Sequence, residues 1–235
     1  MIDAAAPVAT LYLSILAIMG IDALLLVVLG WAYNSPRFAT RRISPMPPLR
    51  VGMAERMKYF GISSVLSLVF IGSMTWALFG WGIADLAQPS WRAPLDALVT
   101  ILLYDFLYYF LHRLMHHKKL VRYVHAVHHR ARNPSALESF YLHPVELFAG
   151  LALLHGCIAL HALAAGPMSI AGYAILFFFH STLNILVHSG IVFGTPLLAP
   201  LDWLAKKHSI HHKDDSGRNY SSLTPIPDMI FGTSA

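Results

Sequence analysis

Five stretches of this chain are each long and apolar enough to cross a lipid bilayer. They run from about Val8 to Tyr33, Tyr59 to Ile83, Pro94 to Leu111, Val145 to Ala165 and Met168 to Val187. A helix needs roughly 20 apolar residues to span the hydrocarbon core, and backbone polar groups there must be satisfied within the segment. That requirement leaves one economical architecture: an all-α, multi-pass membrane helix bundle of about five spans. Composition agrees. Hydrophobic residues make up 56% of the chain and charged residues only 12%, about half the share usual in soluble domains. The third stretch is the shortest and carries Asp96 and Asp105. Gly166-Pro167 joins the last two as a tight helical hairpin. Asn34 to Arg50, with Pro36, Pro45, Pro47 and Pro48, reads as an irregular loop. Met1-Ile2-Asp3 carries no basic region ahead of the first apolar run, which therefore reads as a retained helix and not as a cleaved leader.

The charges test this topology independently. Arg37, Arg41, Arg42, Arg50, Arg56 and Lys58 follow the first span. Arg113, Lys118, Lys119, Arg122, Arg130 and Arg132 follow the third, and Lys206, Lys207, Lys213 and Arg218 follow the fifth. Only Arg92 falls between spans two and three. With five crossings, 16 of the 17 basic residues share one side, which the positive-inside rule makes cytoplasmic. The net charge of +5 is thus a topology signal and calls for no nucleic-acid partner. The alanine-rich sequence favours a bacterial inner membrane over the endoplasmic reticulum. No repeat or low-complexity tract divides the chain. Residues 1–93 hold the first spans and a basic loop, residues 94–235 hold the chemistry-bearing segments, and together they read as one structural domain.

Those segments are built on histidine, of which there are 14. His112-Arg113-Leu114-Met115-His116-His117 follows span three. His125-Ala126-Val127-His128-His129 and His208-Ser209-Ile210-His211-His212 share the spacing i, i+3, i+4. Residues i and i+4 lie on one helical face, so His112 and His116 can share a metal, while His117 lies further round and is placed to serve a second ion. All three clusters fall on the basic side. So many imidazoles suit two ions of iron, zinc or copper better than one. A structural zinc site needs four ligands and usually uses cysteine; here Cys157 is the single cysteine, lies in an apolar run and reads as core. His180, Asn184 and His188 form a polar stripe at i, i+4, i+8 on the fifth span, with His188 nearest the clusters. Asn184 is placed to hold metal through a water or to hydrogen-bond a ligand. Asp105, seven residues before His112, is expected to take the second N–H of a ligating histidine. His143 has no partner at helical spacing, and His155 and His161 read as packing residues.

Two other classes fit some of these features. A metal transporter would use intramembrane histidines as an ion path. A membrane cytochrome would pair His155 with His180 or His188.

The residues Asp105 to Arg113, Ser135 to Glu146 with His143-Pro144-Val145-Glu146, Asn184 to Gly190, His208 to His212, Asn219-Tyr220 and Pro225 to Thr233 resemble the fatty acid hydroxylase and sterol desaturase superfamily. The resemblance covers roughly residues 95–233. It implies membrane helices beneath a cytosolic histidine-box cap, two iron ions (zinc as an alternative occupant) and O₂ as co-substrate. It implies oxidation of a C–H bond in an acyl chain, sterol or related lipid, to an alcohol or an alkene. Ligands carried over are His112, His116 or His117, His125, His128, His129, His188, His208, His211 and His212. Where some hydroxylases of the family have His-x-x-x-His, this chain has Asn184-x-x-x-His188. No Gly-rich nucleotide fingerprint or haem motif is present, so electrons are expected from a cytochrome b5, a ferredoxin or a flavoprotein reductase.

Overall fold

A computed structural model of the protein describes residues 5–44, 51–213 and 217–235. Met1 to Asp3, Pro45, Pro47, Pro48 and Arg50 lie outside the described residues. Five long helices carry the apolar stretches: α1 (Ala5–Asn34), α2 (Met53–Leu78), α3 (Arg92–Met115), α6 (Pro144–Ala165) and α7 (Ile170–Val187). Short helices α4 (Lys118–Leu120) and α5 (Ala126–His129) lie between α3 and α6, and α8 (Ala199–Lys213) and α9 (Ile226–Ile230) follow α7.

All five long helices have the length and hydropathy to cross a membrane. Their surfaces are arranged as lipid solvent demands. On α1, Leu13, Leu24 and Val27 point outward. On α2 the outward residues include Val65, Val69 and Trp76, while Ser63, Ser67 and Thr75 are buried. Without water outside, burying leucine gains little, and small polar residues that allow close approach or an interhelical hydrogen bond take the interface. Thr75 bonds the Tyr173 hydroxyl of α7 at 2.8 Å, and Tyr12 of α1 donates to the Gly72 carbonyl of α2 at 2.9 Å.

In the bundle α3 packs on both α6 and α7, α1 packs on α7, and α2 packs on α6. The main core runs through all five, with Tyr104, Leu154, Ile158, Tyr173 and Leu176 at its centre. At the end of the bundle that holds the α2–α3 and α6–α7 connections, β1 (Ile83–Ala84) pairs in parallel with β2 (Met168–Ser169). Gly166 takes φ +87 in the α6–α7 connection, which a side chain would resist. The other end carries the histidine clusters. There Pro36–Arg41 forms a 3-10 helix, so the early part of the expected loop is ordered.

Candidate metal centre

The elements that carry histidine converge by different local routes. His112 lies in the last turn of α3, and His116 caps that helix. The chain then runs through α4 into a π-helical turn over Val121–His125, which leads into α5. A π turn adds a residue to the helical repeat, and such turns concentrate at functional sites. His188 is the C-cap of α7, and His208, His211 and His212 lie on α8. Gly190 fixes the exit from α7. Its φ is +67, and a Cβ there would stand 2.4 Å from the Pro134 carbonyl and 2.8 Å from the Tyr33 ring.

Nine imidazoles gather into two adjoining groups. One holds His112, His116, His125, His129 and His211; the other holds His128, His188, His208 and His212. Within each group the candidate ligand atoms lie within 4.8 Å of one another. The two H-x-x-H-H boxes divide in opposite senses. His125 and His129, four apart, join the first group and His128 the second; His208 and His212 join the second and His211 the first. The i, i+4 pair thus serves one site and the i+3 histidine turns to the other, so each box bridges both. His117 is exposed and stands outside both groups.

The ring nitrogens facing away from the groups are held by acceptors. His112 Nδ1 donates to the Tyr220 carbonyl at 2.7 Å, His211 Nδ1 to the Arg218 carbonyl at 2.8 Å and His188 Nδ1 to the Asn184 carbonyl at 2.7 Å. His128 Nδ1 donates to the Tyr141 carbonyl at 3.2 Å, and His125 Nδ1 to Glu146 Oε1 at 2.8 Å. These partners accept only, so each Nδ1 carries the proton and each Nε2 of a neutral ring is a bare lone pair. Yet the Nε2 atoms of His112 and His125 lie 3.0 Å apart, and those of His128 and His188 lie 3.2 Å apart. Two lone pairs at that distance repel unless a cation sits between them.

A proton is a poor candidate for that cation. Burial, with repulsion from neighbouring imidazoles, lowers the pKa of His116 to about 3, and burial lowers those of His188 and His211 to about 4. The same causes push His128, His129, His208 and His212 well down. Neutral, buried, convergent Nε2 atoms are what a divalent transition metal requires. The spacing is also informative. Metal–nitrogen bonds of about 2.1 Å at right angles put neighbouring donors about 3.0 Å apart, against about 3.4 Å in a tetrahedron. Neighbouring Nε2 atoms here are separated by 2.8 to 3.2 Å. The residues therefore fit two metal ions.

Supporting groups surround this core. Asp105 does not touch a histidine. It accepts from the Leu223 and Thr224 amides at 2.9 and 3.0 Å and from Thr224 Oγ1 at 2.5 Å. It thereby fixes the C-terminal loop that presents the Tyr220 carbonyl to His112. Asp228 accepts from the Tyr220 and Ser221 amides at 2.8 and 2.9 Å, and Asn219 takes φ +56. The carboxylate on a histidine of the two groups is Glu146, which sequence spacing did not single out; its only signal was the His-Pro-x-Glu element that opens α6. Asn184 meets His188 through its backbone carbonyl, and its side chain lines the adjoining cavities. His143 Nδ1 caps α6 by accepting from the Val145 amide at 3.2 Å. His155 donates to the Leu151 carbonyl, and His161 lies beside Asp96 near the opposite end of the bundle.

A cavity of about 90 Å³ abuts the centre, lined by His112, His128, His188 and His208 together with Tyr104 and Tyr108. A second, of about 220 Å³, shares Leu142, Leu147, Leu151, His180 and Asn184 with it and extends between the helices.

A family model described as fatty acid hydroxylase matches residues 97–233. The chain belongs to the fatty acid hydroxylase family. The resemblance read from the histidine boxes is borne out. This family member is 35% identical over 157 residues to methylsterol monooxygenase 1 of Rattus norvegicus, covering 62% of this chain and 49% of that protein. It is 35% identical over 156 residues to methylsterol monooxygenase 2-2 of Arabidopsis thaliana, covering 62% and 54%. It is 29% identical over 234 residues to very-long-chain aldehyde decarbonylase GL1-8 of Oryza sativa subsp. indica, covering 95% and 82%. The chain thus spans about half the length of those two methylsterol monooxygenases. No solved structure matches the chain.

Proposed function

We propose that this fatty acid hydroxylase family member is a membrane oxidoreductase that uses O₂ and two iron ions to oxidise a C–H bond of a lipid. One observation carries the reading: nine imidazoles converge in two groups, five of them with the outer nitrogen held by an acceptor, beside a cavity that opens between membrane helices. His112, His116, His125, His129 and His211 would hold one ion, and His128, His188, His208 and His212 the other. Bound iron supplies the redox chemistry that imidazole and carboxylate lack.

The chain's own groups do the rest. Glu146 and four backbone carbonyls hold the proton on Nδ1 of His125, His112, His128, His188 and His211 and fix the direction of those five rings. Leu142, Leu147 and Leu151 keep the cavity wall apolar, which excludes water from a reactive centre and admits a lipid chain. In the balanced reaction one C–H bond breaks for an alcohol product and two, on adjacent carbons, for an alkene. O₂, two electrons and two protons yield either an alcohol and one water, or an alkene and two waters. The electrons come from a separate donor, a cytochrome b5, a ferredoxin or a flavoprotein reductase. The histidine groups lie at the end of the bundle that carries most of the basic residues, which supports a cytoplasmic active site.

The methylsterol monooxygenase and aldehyde decarbonylase relatives favour a lipid substrate over metal transport. The test is mass spectrometry of lipids from cells expressing the wild type, His128→Ala or His211→Ala. The wild type is expected to add one oxygen or remove two hydrogens from a lipid class, and both variants to lose that activity along with bound iron. Full activity in both variants would contradict the assignment.

A further inference from the structure

Asp22 is a buried carboxyl group within a membrane span that the histidine centre does not use. It sits within α1, buried, among mostly apolar neighbours. A carboxyl group at this depth is costly and is generally kept where it has something to bind. Thr182 Oγ1 of α7 donates to Asp22 Oδ1 at 2.9 Å. Asp22 also lines the 220 Å³ cavity between α1, α2, α6 and α7, with Ser64, Ser67, Ser181 and Asn184, against an otherwise largely apolar wall. That cavity adjoins the one beside the histidine groups, sharing His180 and Asn184 with it. Thr182 precedes His188 by six residues, so Asp22 stands roughly 9 Å along the helix axis from the centre. Residues 97–233 carry the family match, and Asp22 lies before them.

We propose that Asp22 is a recognition residue that accepts a hydrogen bond from a hydroxyl group of the bound lipid. It holds that hydroxyl roughly 9 Å, along the bundle axis, from the carbon presented to the histidine centre. The second statement rests on the oxidase reading above; hydroxyl binding does not. An apolar tunnel alone holds a lipid chain at no fixed depth, since each methylene is equivalent to the next. One buried acceptor at a set distance from the centre supplies the register, and a donor is what a carboxyl oxygen selects.

A residue that merely tied α1 to α7 would behave differently. The Thr182 bond is removed both by Thr182→Val and by Asp22→Leu, whereas recognition is lost only in the second. The experiment is binding of 1-dodecanol and of its methyl ether, which lacks only the donor, to the purified full chain in detergent. The wild type and Thr182→Val are expected to prefer the alcohol by about tenfold, and Asp22→Leu by less than about twofold. Asp22→Asn, which is isosteric, covers a leucine variant that fails to fold, and its preference is expected to drop below about threefold. Equal binding of alcohol and ether by the wild type, or an undiminished preference in the Asp22 variants, overturns the proposal. Binding is read without turnover. A protein that keeps the alcohol preference but oxidises no lipid would sink the oxidase reading and leave the role of Asp22 standing.

Discussion

Glu146 Oε1 accepts the Nδ1 proton of His125 at 2.8 Å, joining the first turn of α6 to the histidine box that precedes it by 21 residues. Both side chains are buried. The carboxylate fixes the tautomer that leaves Nε2 free and raises the ring's basicity towards a metal. Glu146→Ala is therefore expected to weaken metal retention by about 10- to 100-fold. Competition with a graded series of chelators measures this, and unchanged retention would remove Glu146 from the centre.

The C-terminal loop is a scaffold for the site. Asp105 draws three donors from Leu223 and Thr224 onto one buried carboxylate, and Tyr220 in the same loop receives His112. Asp105→Ala leaves two backbone amides unpaired and should cost about 3 kcal/mol. Thermal unfolding in detergent should show a lowered midpoint, with iron lost together with the His112 anchor. An unshifted midpoint would show that the loop is held by other contacts.

Gly190 is expected to tolerate no side chain. At φ +67 with the Pro134 carbonyl and the Tyr33 ring against it, Gly190→Ala must displace backbone two residues after His188. Strain and overpacking together should cost about 2 kcal/mol or more. The measurement is thermal stability together with bound metal, and a wild-type result in both would contradict the close approach.

Five spans and three histidine boxes were legible in the sequence because both are written in side chains. Hydropathy over some 20 residues leaves little choice of structure, and i, i+4 histidines share a face whatever lies around them. The anchors were not legible. Tyr220, Arg218, Tyr141 and Asn184 serve through backbone carbonyls, which every residue type possesses. Asp105 has the helical spacing to reach the face of His112, yet its oxygens are claimed by amides 118 and 119 residues away. His117 continues its box in sequence, but α3 ends at Met115 and the chain turns it outward. The paired strands Ile83–Ala84 and Met168–Ser169 are two residues each, too short for any periodicity to register.

Acid should destabilise the metal-free protein. The imidazoles of His116, His188 and His211 titrate at about 3 to 4 when folded, lowered mainly by burial, against 6.5 in an unfolded chain. A depressed pKa means the unfolded state binds more protons between those values, so stability is full above about pH 6.5 and falls as pH is lowered towards 4. Melting curves of chelator-treated protein at pH 7.5 and pH 5 should show a clear drop at the lower value. A midpoint independent of pH over that range would mean the rings are not held neutral.

The most direct measurement is elemental analysis of the purified chain grown with iron supplied. Two iron atoms per chain are expected, falling to one or fewer in His211→Ala and in His208→Ala, which remove a ligand from different groups. A chain that oxidises lipid while carrying no iron, or that keeps two irons in both variants, would contradict the paired centre.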